Sequence, residues 1–231
     1  MSFLLQIVQE GAIPAADTAT SAVGAGALDV LSLIWKGGIV MIPIGILFVI
    51  AVYLTFERYF TIQKAGVLDS RFMGGIKDMV MEGDLKGAQR LCHDKGTPIG
   101  LMIEKGLSRI GKPLKDISVA VENVGKLEVY KLEKGMAILA TISGAAPMLG
   151  FLGTVTGMIR TFNQMQDSGQ QITADLLSGG IGEAMMTTVA GLVVGIFAYI
   201  SYNLLSSMIN KVVYKMEATS VEFLDILHEP A

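Results

Sequence analysis

Charge is distributed along this chain in blocks. Gly37–Leu54 and Gly135–Ile159 hold no charged side chain, and Leu176–Asn210 holds a single one, Glu183. About 20 predominantly apolar residues cross a bilayer as a helix. Each block reaches that scale, and the buried helices of a soluble protein imitate one such run but hardly three. The pattern predicts an all-α polytopic membrane protein with three transmembrane helices, at 31–56, 135–162 and 179–205.

Around the spans the pattern changes. Residues 57–134 form a polar, helix-forming segment with turn signals at "EGD", "DKGTPIG" and "GKP". Apolar residues recur in it at helical spacing, Phe72, Ile76 and Val80, then Leu101, Ile103 and Leu107, which predicts a small helical domain. The remaining pieces are an N-terminal extension over 1–30, a connection over 163–178 and a C-terminal helix over 206–231. In the first span Trp35 marks the outer interface, Tyr53, Tyr59 and Phe60 the inner one, and Glu57-Arg58 the cytoplasmic end. Lys36 snorkels outward, and Pro43 bends the span without breaking it. The opening "MSFLLQIVQ" lacks a positive n-region. It reads as a short surface helix before the linker "GAIPAADTATSAVGAGA", with a cleaved leader as the alternative.

Composition agrees with a membrane chain: hydrophobic residues are 52 % and charged residues 17 %, and the mean hydropathy is +0.55. The bases set an orientation. Residues 57–134 hold 14 of the 18 Lys and Arg, while the stretch before Trp35 and the stretch 161–180 hold none. The positive-inside rule then places 57–134 and the tail from Lys211 in the cytoplasm, giving N-out and C-in. A net charge of −3 argues against a nucleic-acid partner. Cys92 is alone, and His93 and His228 have no metal-ligand spacing near them. With no phosphate loop and no nucleophile–base arrangement, no enzymatic activity, metal or cofactor is expected.

The candidate chemistry lies in the last two spans. In "ATISGAAPMLGFLGTVTGMI", Ser143, Ala146, Pro147, Gly150, Gly153, Thr154 and Gly157 share one helix face. Small residues let membrane helices approach, and Gly153-x-x-x-Gly157 is such a spacing. In the third span Glu183, Thr187, Gly191 and Gly195 form an i+4 ridge, with Thr188 beside it. The hairpin of the two spans brings Thr154, Glu183, Thr187 and Thr188 to a similar depth. An ionisable group in a span is costly and so is a functional candidate. The competing reading leaves Glu183 at headgroup level, where it complements the helix dipole. A carboxylate among hydroxyls can exchange a proton, and burial raises its affinity for one.

These residues resemble the MotA/TolQ/ExbB family of proton-channel subunits. "APMLGFLGTVTGMIRTF" is similar to the family's Ala-Pro-x-x-Gly-x-x-Gly-Thr-Val-x-Gly-Met signature. "GGIGEAMMTTVAGLVVGIFAYISYN" is similar to its Gly-Ile-x-Glu-Ala…Thr…Gly-Leu-x-x-x-Ile…Tyr-Asn pattern. Glu57-Arg58 and, more weakly, "GDLKGAQRLCHDKGTP" add to a likeness covering Leu31 to Asn210. Three spans resemble the ExbB and TolQ branches more than the four-span flagellar stator subunit. The resemblance implies that Glu183 is the membrane carboxylate and that Thr154 and Thr188 line the ion path. Thr187 has no family counterpart and rests on helix spacing. Glu183 and Thr188 point about 140° apart on an ideal helix. Phe197 stands where many members carry proline, which puts the kink expected there in doubt.

The resemblance also implies a homo-oligomer of five subunits whose second and third spans line a central pore. A single-span ExbD-like subunit inside it carries a membrane Asp, and a TonB-like protein receives the force. The expected function is that of an ExbB-like proton-channel and stator subunit in the inner membrane of a Gram-negative bacterium. It uses the proton gradient, not a cofactor, to energise TonB-dependent outer-membrane transport. Residues 1–30 and 163–178 are then periplasmic. The alternatives are a TolQ-like envelope-integrity or motility motor subunit, and a membrane scaffold without ion conduction.

Overall fold

The computed structural model describes residues 38–66, 72–168 and 174–228, without the side chains of 167, 168, 174–178 and 183. The extension over 1–30, Trp35, Lys36 and the middle of the 163–178 connection lie outside the described residues, as does the end of the tail. Among the described residues seven α-helices follow one another: α1 Met41–Ala65, α2 Phe72–Met81, α3 Leu85–Lys95, α4 Pro98–Leu107, α5 Leu114–Glu133, α6 Met136–Ser168 and α7 Ala174–His228. No strand occurs among the described residues, so the fold is all-α.

Among the described residues three stretches are long and apolar enough to cross a membrane: α1, a part of Leu114–Gln166 and a part of Gly179–His228. The chain does not bury them itself. Only 17 % of the apolar window in α1 is covered, and Ile42, Val49 and Phe56 are exposed. A bare apolar surface of that extent is not stable in water, so lipid or neighbouring chains cover it. This is a multi-pass membrane protein.

The ends of α1 differ from the sequence pattern for identifiable reasons. Gly38 turns the chain at φ 66°, and Met41 N donates to its carbonyl at 3.1 Å. Pro43 therefore falls in the first turn, where no N–H is needed, and it helps start the helix instead of bending it. At the other end α1 does not stop at Glu57-Arg58 but continues to Ala65. The Arg58 guanidinium donates twice to the Glu57 carboxylate, at 2.6 and 2.7 Å, and to the Lys131 carbonyl at 3.3 Å. These charges have protein partners, so they mark no helix end.

Two compact units make up the chain. The larger holds Ile44–Met148 with the residues from Gly191 onward. Its turns fall at the three predicted signals, on Gly83 at φ 81°, Gly96 at φ 57° and Gly111 at φ 94°. Only glycine adopts that left-handed backbone without strain. Asp84 caps α3 by accepting from Gly87 N at 3.0 Å, and Thr97 caps α4 by accepting from Gly100 N at 3.2 Å, with Pro98 at the first position. Ile76, Ala88, Cys92, Ile103, Val121 and Phe223 are fully buried in the core. Gly106 makes room there for the Phe223 ring, since a Cβ would collide with it and come within 2.9 Å of Val121.

Pro147 stands inside α6 without ending it. Lacking an N–H, it leaves the Ser143 carbonyl without its usual helical donor. Gly195 of α7 packs at this point, where a Cβ would lie 2.6 Å from Pro147 Cγ and 3.1 Å from that carbonyl. Helix α7 then runs as one element of 55 residues, about 80 Å long at 1.5 Å per residue. The boundary expected at 206 is not a break, because no Gly or Pro occurs between Ile196 and His228 to interrupt the ladder. Phe197 sits within it, its ring edge-on to Phe48 at 5.9 Å.

Candidate functional site

The smaller unit joins Leu149–Ala190 with the described residues up to Pro43. Here α6 and α7 form an antiparallel pair through three close approaches: Gly153 to Thr187, Gly157 to Ala184, and Gly180 to Thr161. A Cβ on Gly157 would stand 3.0 Å from the Ala184 Cβ, and one on Gly153 or Gly180 would overlap the facing threonine hydroxyl. Gly153 and Gly180 leave no room for a side chain, and Gly157 leaves almost none. Gly153 and Gly157 of the predicted stripe thus meet the other helix of the same chain, and Gly150 and Gly191 are also buried.

The threonines divide between this seam and its edges. Thr188 Oγ1 donates to the Gly150 carbonyl across the pair at 3.1 Å. Thr187 Oγ1 lies 2.7 Å from Ala184 O and 3.3 Å from the same Gly150 O. A hydroxyl has one proton to give, so its principal partner is Ala184 on its own helix. Thr187 is 1 % exposed, while Thr188 is half-buried. Thr154 turns back to Phe151 O at 2.6 Å. Thr187 and Thr188 therefore converge on Gly150, and Thr154 does not join them.

Helix register separates the candidates further. At 100° per residue, Thr154 and Thr188 fall roughly 60–70° to one flank of the contact line. Position 183 falls to the opposite flank by a similar angle; the Glu183 side chain itself lies outside the described residues. The similar depth expected for these residues does not amount to a single face. Sequence reasoning passed over Thr156, Thr161 and Arg160. The signal for Arg160 was present, as the one charge closing a run that is uncharged from Gly135.

Cys92, in α3 away from the spans, has its thiol pushed up to about 12 by burial, with the negative charge of Glu104 adding to it. Such a thiol stays protonated and is a core residue, not a nucleophile.

Residues 94–218, more than half of the chain, match the profile of the MotA/TolQ/ExbB proton channel family. The chain is 33 % identical over 175 residues to a biopolymer transport protein, ExbB-like 1, of Synechocystis sp., covering 75 % of this chain and 69 % of the relative. It is 34 % identical over 104 residues to the Tol-Pal system protein TolQ of Haemophilus influenzae, 45 % of each chain. It is also 34 % identical over 98 residues to the biopolymer transport protein ExbB of Xanthomonas campestris, covering 42 % of this chain and 38 % of that one.

Proposed function

This chain belongs to the MotA/TolQ/ExbB proton channel family, and from that membership we propose that it is the proton-channel and stator subunit of an inner-membrane motor of the ExbB kind. In this reading five copies form a ring around a single-span ExbD-like subunit. Proton flow down the gradient moves the partner, and a TonB-like protein carries the force to outer-membrane transporters. The N-terminus and the 163–178 connection are periplasmic, and 57–134 is cytoplasmic, as the basic residues of that segment favour. No step asks this chain for covalent catalysis.

The observation that carries the reading is Glu183, alone among charged residues from Leu176 to Asn210, beside a seam that the Thr188 hydroxyl fastens to the Gly150 carbonyl. A carboxylate in that setting can take up and release a proton while the helices stay packed. Thr188 and Thr154 serve one flank of the path, and Thr187 steadies the seam. The buried glycines 150, 153, 191 and 195, with the half-buried Gly157, keep the helices close enough to do so.

Gentle purification of the full chain from its native membrane, followed by mass spectrometry, tests this. Recovery of a single-span protein with an aspartate in its span supports the motor; recovery of the chain alone, while other complexes stay whole, contradicts it. The TolQ-like reading has support in the likeness to TolQ from Haemophilus influenzae. Deleting the gene separates the two readings, since loss of TonB-dependent uptake marks the ExbB kind and envelope leakage the TolQ kind.

A further inference from the structure

Arg160 has no part in the proton path described so far. It carries the only charge among the described side chains of its unit. Its place relative to position 183 follows from its neighbours. Gly157 faces Ala184, and Thr161 faces Gly180. Residue 160 of α6 is thus level with residue 181 of α7, within ~3 Å of helix rise from position 183. The two also share a flank. Arg160 lies about 60° from the contact line of α6, and position 183 about 70° from that of α7. Because the helices run in opposite directions, offsets of the same sign fall on the same side of the seam.

On that side lies a crevice of about 20 Å³, lined by Thr156, Arg160 and Thr187 with Gly153, Gly157 and the Gly38–Val40 segment. That volume accommodates one water. The Thr156 and Thr187 hydroxyls give their protons to main-chain carbonyls at 2.9 and 2.7 Å, so they offer the crevice lone pairs. A guanidinium offers only donors. The crevice therefore combines fixed acceptors with a permanent cation, at the level of the carboxylate position.

Resting on the reading of Glu183 as the proton carrier, we infer that Arg160 is a positioning residue for it: a permanent positive charge, on the same flank and level, that favours the ionised carboxylate and eases proton release. An opposite charge nearby favours the charged form of a carboxyl group, and arginine does not itself lose its proton. Other charges on the elements around this flank are few. Asp167 of α6, Asp175 of α7 and Lys36 ahead of α1 have side chains outside the described residues, and Ile39–Pro43 contributes none.

The test is an infrared pH titration of the full chain in lipid vesicles. The Glu183 carboxyl band is identified as the one lost in Glu183→Gln. Arg160→Gln is expected to raise its midpoint by about one pH unit or more, and Arg160→Lys to bring it most of the way back. Arg160 is exposed, so neither variant empties a core, and circular dichroism checks that helix content is kept. A midpoint unmoved in Arg160→Gln overturns the inference and leaves the Glu183 reading intact. If Glu183→Gln removes no titrating band, the proton-carrier reading falls and takes the inference with it.

Discussion

Gly195 lies against the ring of Pro147 so closely that a Cβ would stand 2.6 Å from Pro147 Cγ. Neither partner can yield easily, because one is a ring locked to its backbone and the other is part of a helix. Gly195→Ala should therefore overpack the contact and lower stability by about 1–3 kcal/mol. Gly74 makes the contrast, since it is an exposed position of α2 with nothing within 4 Å of a Cβ. Gly74→Ala should raise stability by ~0.5–1 kcal/mol through helix propensity. Thermal melting in mild detergent, followed by circular dichroism, reads both.

The two threonines at Gly150 should respond differently. Thr188→Val removes the principal side-chain bond across the seam, at 3.1 Å, and should cost about 1 kcal/mol. Thr187→Val keeps the shape of a buried side chain and removes a bond made chiefly to its own helix at 2.7 Å, so it should cost less. A larger loss at Thr187 in the same melting assay would reverse the assignment of which hydroxyl joins the helices.

Arg58 holds the end of α5 to α1. Its side chain is 10 % exposed, with two bonds to Glu57 and one to Lys131 O. Arg58→Gln should lower stability by about 1.5–3 kcal/mol, the range for hydrogen bonds to charged groups. Arg58→Lys should recover little, because an ammonium cannot reproduce the planar fork. Denaturant melts of the three proteins decide it.

The Cys92 thiol gives a pH dependence with a definite sign. Its folded value of about 12 lies above the ordinary 9.0 because of burial and then Glu104. The raised value means its contribution to stability is complete below pH 9.0 and is lost as pH rises from there towards 12. Cys92→Ala should leave a cavity and lower stability overall, yet flatten the decline above pH 9.0. Iodoacetamide should label the native chain slowly and the unfolded chain fast at the same pH.

What the sequence discloses depends on which physical signal a feature leaves. The left-handed turns at Gly83, Gly96 and Gly111 were legible because each stands among turn-forming residues between apolar runs. The membrane stretches were legible because charge is costly in hydrocarbon. The continuation of helix α1 past Arg58 and of helix α7 past 206 was not. Hydrophobic pattern reports where solvent changes, whereas a helix ends where its hydrogen bonds end, and nothing at Glu57 or at 206 interrupts them. The angle between Glu183 and Thr188 was legible, but the side of the seam on which Thr154, Thr188 and position 183 each fall was hidden for another reason. Angular spacing along one helix is readable, but the direction of its contact line is known only once Gly153, Gly157 and Gly180 are seen against their partners.

The central claim is that protons pass by way of Glu183. It is tested most directly by proton uptake into vesicles carrying the chain with its co-purified partner, under an imposed pH gradient. Glu183→Gln should reduce uptake to the level of empty vesicles while the assembly keeps its size and composition. Undiminished uptake by that variant would contradict the claim and return Glu183 to the role of a helix-end acid at the membrane surface.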